Sequence, residues 1–174
     1  MGTPFLFAVI DSILSQGAVN GRIASMHPSR IYFGLGSNLG DREKNLRRAL
    51  ASLAPEITVE KSSPVYETEP MYNASQPKFL NAVYAATTEL PAADVLKKLK
   101  SIETEMGRHE HNQPRVIDLD LLLYGDGIIE TPELTVPHPK IAERWFVLKP
   151  LADIAPDFVH PVLGVTIAEL LKRL

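Results

Sequence analysis

No stretch of this chain restricts its fold more than residues 115–125, Arg-Val-Ile-Asp-Leu-Asp-Leu-Leu-Leu-Tyr-Gly. A run of branched apolar residues closed by glycine is the pattern of a buried strand, here expected as an apolar central support. Two carboxylates nevertheless sit inside it. Strand side chains alternate between faces, so Asp118 and Asp120 project to one side, about 6–7 Å apart at their α-carbons. Two like charges on an apolar face are costly unless something positive neutralises them. The spacing alone leaves two candidates open, a bound divalent cation or arginines in a pair of structural salt bridges.

The rest of the composition narrows the field. With 174 residues, 45% hydrophobic and 22% charged, the chain can build a sizeable core as one compact domain. A net charge of -3 supplies no pull toward nucleic acid or a membrane surface, and no obligate protein partner is expected. The absence of cysteine excludes disulfide scaffolds, thiolate metal sites and cysteine nucleophiles. It is compatible with a cytoplasmic location, which is the expectation. No apolar run approaches the length of a bilayer span. The apolar residues 5–10 follow no Lys or Arg and end at Asp11, unlike a secretory signal. Residues 1–29 read as an N-terminal extension of unknown role, with a short helix expected over 5–14 and Met26 an alternative start. Residues 30–174 read as the single domain.

Taken in order, residues 31–36 predict a first strand. Asp41 follows as a helix N-cap, with Leu46, Ala49, Leu50 and Leu53 on one helical face. Gly34, Gly36 and Gly40 resemble a phosphate loop in spacing, but the Walker lysine and the dinucleotide-binding third glycine are missing; a tight strand-to-helix turn is the reading. Residues 57–66 form a second extended segment in which Pro64 marks an edge or an end. The loop 67–77 mixes polar and aromatic residues, as ligand-facing loops do. Residues 79–88 predict a third strand. Pro91 opens a second helix, with Val95, Leu99, Ile102 and Met106 toward the core and Gly107 at its end. A polar loop, 108–114, leads to the Asp-x-Asp strand. Gly125-Asp126-Gly127 makes a turn, residues 128–129 a short strand, and Val136-Pro137-His138-Pro139 a stiff extended piece. A helical turn is expected over 140–144, and Thr166 with Glu169 forms a capping box before a last helix. The order β-α-β-β-α-β is the ferredoxin-like arrangement of the α+β class: an antiparallel sheet with helices on one side, plus C-terminal additions.

Several groups could carry chemistry. Magnesium is usually held by one or two carboxylates together with substrate phosphates, which suits Asp118 and Asp120. Arg115 stands three residues before Asp118, and Arg108 lies across the polar loop; arginines beside metal carboxylates suit a polyphosphate, although Arg115 could equally pair with an aspartate alone. His138 and Arg144 add donors downstream, His138 by position alone reading as packing. Asn81 and Phe79 share one strand face, an aromatic platform beside an amide that fits a planar heteroaromatic ligand. Phe146, next to Trp145, offers a second aromatic wall. Ordinary core aromatics with one satisfied Asn is the plainer alternative.

These pieces occur together in one known pattern. Gly36-Ser37-Asn38-Leu39-Gly40, Ser63-Pro64-Val65-Tyr66-Glu67-Thr68, Phe79-Leu80-Asn81-Ala82, Ile102-Glu103, Gly107-Arg108, Pro114-Arg115-Val116-Ile117-Asp118-Leu119-Asp120 and Val136-Pro137-His138-Pro139, with Arg144 and Phe146, resemble the 6-hydroxymethyl-7,8-dihydropterin pyrophosphokinase family of folate biosynthesis. The resemblance runs from residue 31 to about 161. It implies transfer of the terminal pyrophosphate of ATP to the hydroxymethyl oxygen of the pterin, leaving AMP. It further implies that Asp118 and Asp120 hold two magnesium ions bound with ATP, and that Arg108 and Arg115 stabilise the transferring group. Glu103, Leu121, Thr135, His138 and Arg144 would line the ATP side. Phe79 and Phe146 would stack the pterin, with Asn81, Thr68 and Met71 reading its polar edge. Such a transfer needs positioning and charge neutralisation more than covalent chemistry.

The chain departs from the pattern in two places. Many members carry a longer loop with Arg-Trp-Gly before the Pro-Arg, whereas here it is His111-Asn112-Gln113. His111, when protonated, is expected to substitute partly for the arginine, and weaker closure over ATP predicts a raised KM for ATP or slower turnover. Glu133 stands where some members have a basic residue. A chain of this length is expected to be monofunctional.

Overall fold

The computed structural model describes residues 28–71, 73–107 and 114–174. The helix expected over 5–14, and the loop residues 108–113 with Arg108 and His111, lie outside them.

The organising element is β1 (Ser29–Ser37). Its alternation sends Ile31, Phe33 and Leu35 to one face and Tyr32, Gly34 and Gly36 to the other. On one flank it pairs antiparallel with β4 (Phe79–Thr88), on the other with β5 (Asp118–Tyr124). β2 (Ile57–Ser62) and β3 (Tyr66–Thr68) both pair with β4, completing a five-stranded antiparallel sheet. The expected single segment over 57–66 is thus two strands, and Pro64, which cannot donate to a ladder, lies in the gap between them. A small second sheet joins β6 (Ile129–Glu130) to β7 (Thr135–Val136).

Among the described residues, four α-helices cover the sheet. Helix α1 (Arg42–Ala51) is capped by Asp41, whose carboxylate accepts from the Lys44 N–H. Helix α2 (Ala92–Glu105) follows Pro91. Both lie on the face carrying Ile31, Phe33 and Leu35, where Leu46, Ala49, Val95, Leu99 and Ile102 close a core. The other face holds α3 (Trp145–Ile154), which follows the short 3-10 turn Ile141–Glu143, and α4 (Ile167–Arg173) with its capping box intact. Val147, Leu148, Leu151 and Ile167 pack there on Tyr32, Val83, Ala85 and Leu122.

The ferredoxin-like α+β class stands: the two helices of the β-α-β-β-α-β core, α1 and α2, lie on one face, and the other face is covered by the C-terminal additions. The C-terminal additions form a third layer, because Tyr32, Val83 and Ala85 give the second sheet face enough apolar surface to demand a cover.

The Asp-x-Asp strand is also not central. In the order β2-β4-β1-β5 it is an edge strand. Its free side is covered by the chain returning from β7, where His138 N–H donates to the Leu122 carbonyl at 2.9 Å. A bulge interrupts its pairing: Tyr32 opposes Leu123 and Phe33 opposes Leu121, leaving Leu122 extra. Leu119 and Leu121 therefore enter the α1–α2 core, while Leu122 and Leu123 both enter the α3–α4 core. Among the described residues no helix is long and apolar enough to cross a membrane.

Candidate active site

The second sheet face is filled by α3 and α4 at one end and left open at the other. The open part is a cavity of about 250 Å³ whose floor is β1 at Gly34 and Gly36. At Gly36 glycine is needed. A β-carbon on Gly36 would lie 2.9 Å from Asn81 Oδ1, closer than real side chains tolerate, and in ordinary contact with the Phe79 ring at 3.7 Å.

One wall is polar. Asp118 and Asp120 both face the cavity from β5. Arg115 Nη1 donates to Asp118 Oδ2 at 2.8 Å, and Arg144 Nη1 stands 3.7 Å from Asp120 Oδ2. Both arginines are largely buried, so these pairs feel less screening than surface ones. The arginine alternative raised by the strand spacing is therefore realised, without removing the carboxylates from the cavity. The backbone of Arg115 is itself fixed: its N–H donates to Asn38 Oδ1 at 2.7 Å, and its carbonyl accepts from the Asn38 N–H at 3.2 Å. Asn38 is buried, and its amide also reaches Gln76 and the Pro77 carbonyl.

The opposite wall is aromatic and amide. Phe79 and Asn81 share a face of β4, and Asn81 Nδ2 donates to Thr68 Oγ1 at 2.7 Å, while Met71 stands at the rim. Phe146, from the first turn of α3, closes the top with Val147. Each arginine sits at the border of the two halves. The Arg115 guanidinium is 5.9 Å from the Phe79 ring centroid, and that of Arg144 is 5.7 Å from Phe146.

His138 lines the same cavity. Burial pushes its imidazole below the ordinary histidine value, aided by Arg144 and Lys140 and opposed by the Asp120 charge. Nδ1 accepts from the Lys140 N–H at 3.1 Å, so in the neutral ring Nε2 carries the proton and can donate. Among the described residues no group of three or more His, Asp or Glu side chains could hold a metal ion. The donor set is two hard carboxylates, which suits a magnesium ion completed by substrate phosphates rather than a resident metal cage.

Of the residues singled out from the sequence, Arg115, Asp118, Asp120, His138, Arg144, Thr68, Met71, Phe79, Asn81 and Phe146 meet in this one cavity. Three others stand apart from its lining. Leu121 is buried in the α1–α2 core, and Thr135 is exposed on β7. Glu103, 3% exposed, lies behind the sheet and accepts the Leu119 N–H at 2.6 Å through Oε1, while Oε2 pairs with Lys100 at 2.9 Å. It thus grips the backbone between the two aspartates from the opposite face. Arg108 lies outside the described residues. Sequence reasoning read Gly34 and Gly36 together with Gly40 as a tight strand-to-helix turn, whereas the first two lie inside β1 as the cavity floor, and it gave no separate role to Asn38. For the floor the signal was present, since two glycines at strand spacing on one face mark a close approach; for Asn38, whose partners are far away in the chain, none was.

Comparison with known proteins identifies a family. A family model described as 7,8-dihydro-6-hydroxymethylpterin-pyrophosphokinase (HPPK) matches residues 32–156. The chain is 42% identical over 134 residues to the 2-amino-4-hydroxy-6-hydroxymethyldihydropteridine pyrophosphokinase of Aquifex aeolicus, covering 76% of this chain and 84% of that one. To the enzyme of that name from Bacillus subtilis it is 46% identical over 127 residues, covering 71% and 76%. It is also 40% identical over 162 residues to the folic acid synthesis protein FOL1 of Dictyostelium discoideum, covering 92% of this chain but only 25% of that protein. The chain thus spans about a quarter of the length of such longer relatives. Among solved structures, Plasmodium falciparum HPPK-DHPS wild type with SDX-DHP superposes with a TM-score of 0.73 at 17% identity, over 89% of this chain and 46% of that one, a likeness of fold. The match over 32–156 and the two bacterial relatives together mean that the chain belongs to the 7,8-dihydro-6-hydroxymethylpterin-pyrophosphokinase family.

Proposed function

We propose that this chain transfers pyrophosphate from ATP to 6-hydroxymethyl-7,8-dihydropterin, with magnesium, giving the pterin diphosphate and AMP. The observation that carries the reading is a single cavity with two chemically different halves, an arginine–carboxylate wall and an aromatic–amide slot, joined by Arg115 and Arg144. Family membership and the two bacterial relatives support the substrate pair.

In this reading the flat pterin lies between Phe79 and Phe146, with Asn81 and Thr68 at its polar edge. The hydroxymethyl oxygen then points toward the polar wall. Its attack forms a bond to the β-phosphorus of ATP, the bond from that phosphorus to the α,β-bridging oxygen breaks, and AMP leaves with the electron pair. The hydroxymethyl proton is released to solvent. Magnesium held by Asp118 and Asp120 would neutralise phosphate charge. Arg115 would turn from Asp118 toward the transferring group and stabilise its charge, since guanidinium geometry matches phosphate oxygens. Arg144 and neutral His138 would donate to the remaining phosphate oxygens, and Arg108, from its place in the sequence, would act as a second cation. Glu103 supports the ATP side from behind the sheet through the Leu119 backbone. Residues 30–174 would make up this domain, with 1–29 an extension.

Incubation with the dihydropterin alcohol, ATP and magnesium, followed by nucleotide separation, tests the reading. AMP should appear only when the pterin is present; ADP, or no turnover, overturns it. Asp118→Ala and Asp120→Ala should each lower turnover by about 10²–10³-fold while the circular dichroism spectrum is unchanged, the size of loss typical for a group that stabilises transition-state charge.

A further inference from the structure

The two walls of the aromatic slot belong to separate parts of the chain. Asn81 and Phe79 are on β4, with Thr68 on the short strand β3 beside them; Phe146 is on α3. Something must set the distance between them. Tyr66 of β3 opposes Asn81 in the strand register, and it is held by three residues of α3 spaced one turn apart, Trp145, Lys149 and Asp153. The Tyr66 and Trp145 rings meet edge to face, with centroids 5.6 Å apart and planes at 84°. Lys149 Nζ lies 5.2 Å from the centre of the Tyr66 ring. The Tyr66 hydroxyl donates to Asp153 Oδ2 at 2.6 Å, and Lys149 pairs with the other oxygen of the same carboxylate. At the far end of α3, Lys61 of β2 donates to the Ile154 carbonyl at 2.9 Å.

The helix needs this support at its start. Pro150 lies inside α3 and has no N–H to offer the carbonyl four residues earlier, which belongs to Phe146. The turn that carries the slot wall is therefore short of one helical hydrogen bond. The stripe Trp145–Lys149–Asp153 spans the proline and ties that turn to β3 instead.

We propose that the Tyr66 clasp sets the width of the aromatic slot, making Tyr66 and Asp153 positioning residues for the planar ring of the substrate. The inference rests on the reading of the slot as the pterin site. Tyr66 stands outside the cavity lining that holds Arg115, Asp118 and Asp120, so it should affect binding of the pterin and leave phosphate chemistry alone.

The test compares Tyr66→Phe and Asp153→Ala with the wild-type chain. Tyr66→Phe deletes one hydroxyl and keeps the ring; Asp153→Ala removes the shared acceptor from the helix side. Each should raise KM for the dihydropterin roughly three- to tenfold, the range for one net hydrogen bond, with kcat and KM for ATP unchanged. Because Trp145 is the sole tryptophan of the chain, its emission reports the clasp directly and should change in both variants without added substrate. Unchanged pterin KM in both variants overturns the proposal. So does a parallel shift of all kinetic constants with a lowered melting temperature, which would mark general destabilisation. Absence of AMP formation by the wild-type chain instead overturns the reading of the site and the inference with it, so the two failures are distinguishable.

Discussion

A side chain at position 36 would have to occupy space held by Asn81, whose Oδ1 lies 2.9 Å from where a β-carbon would stand. Asn81 cannot yield cheaply, because its amide is bound to Thr68 and it is buried. Gly36→Ala should therefore push Asn81 off its partner and raise the pterin Kd about tenfold, the equivalent of one hydrogen bond of about 1.4 kcal/mol; titration calorimetry of the variant checks it. The residues most legible in the sequence were those whose type clashes with their surroundings: Asp118 and Asp120 in an apolar run, Asn81 in an apolar strand. Leu121 and Glu103 illustrate the limit. Proximity to a motif does not place a side chain: strand alternation already sends Leu121 to the face opposite Asp120, Glu103 comes from a helix packed on that opposite face, and both point away from the cavity. Glu103 is a buried carboxylate that only tertiary structure explains.

At the scale of elements, that carboxylate joins α2 to β5. Glu103→Ala would leave the buried Leu119 N–H without its acceptor, costing about 1–3 kcal/mol, and should lower the melting temperature and turnover together, because Leu119 sits between the two aspartates. A variant with unaltered stability would show that the hydrogen bond is replaced by water. Strand and helix boundaries were largely readable from local chemistry: the Asp41 cap, the third strand over 79–88 and the Thr166–Glu169 box all appear as expected. Two features were not. The bulge at Leu122 depends on register with β1, which no single strand encodes. Helix α3 has apolar residues at helical spacing, Val147, Leu148, Leu151 and Ile154, but its internal proline and its start beside the aromatic pair hid the pattern.

For the molecule as a whole, the second core explains why helices occupy both sheet faces. It also contains a buried histidine. His160 is 6% exposed and its Nδ1 faces the N–H groups of Val162 and Leu163 at 3.3 and 3.2 Å. Burial pushes its imidazole below the ordinary value of 6.5, against the upward pull of its own backbone. The unfolded chain then binds the proton more readily than the folded one, so stability is complete above about pH 6.5 and declines as pH falls below it. Half-buried His138 shifts the same way and adds to the decline. Urea midpoints at about pH 7.5 and about pH 5.5 should differ in this direction, and His160→Asn, which can keep an acceptor near Nδ1, should reduce the difference. No change in the pH slope would sink the assignment. The order of strands and the edge position of β5 could not be read from the sequence, because they are decided by which surfaces remain to be buried once β1 and β4 have paired.

The glycine floor of the cavity also bears on how the site can drift through mutation. At Gly34 and Gly36 the floor has no side chains to trim away, so substitutions there can only add bulk. A compound occupying the slot over Gly36 rests on backbone, and the same intruding methyl that displaced it would displace the natural ring through Asn81. Escape from such a compound would have to arise at the rim, at positions such as Met71 that stand 52% exposed, where the compound reaches past the outline of the substrate. An inhibitor kept within that outline would leave this fold few routes to resistance that spare its own chemistry.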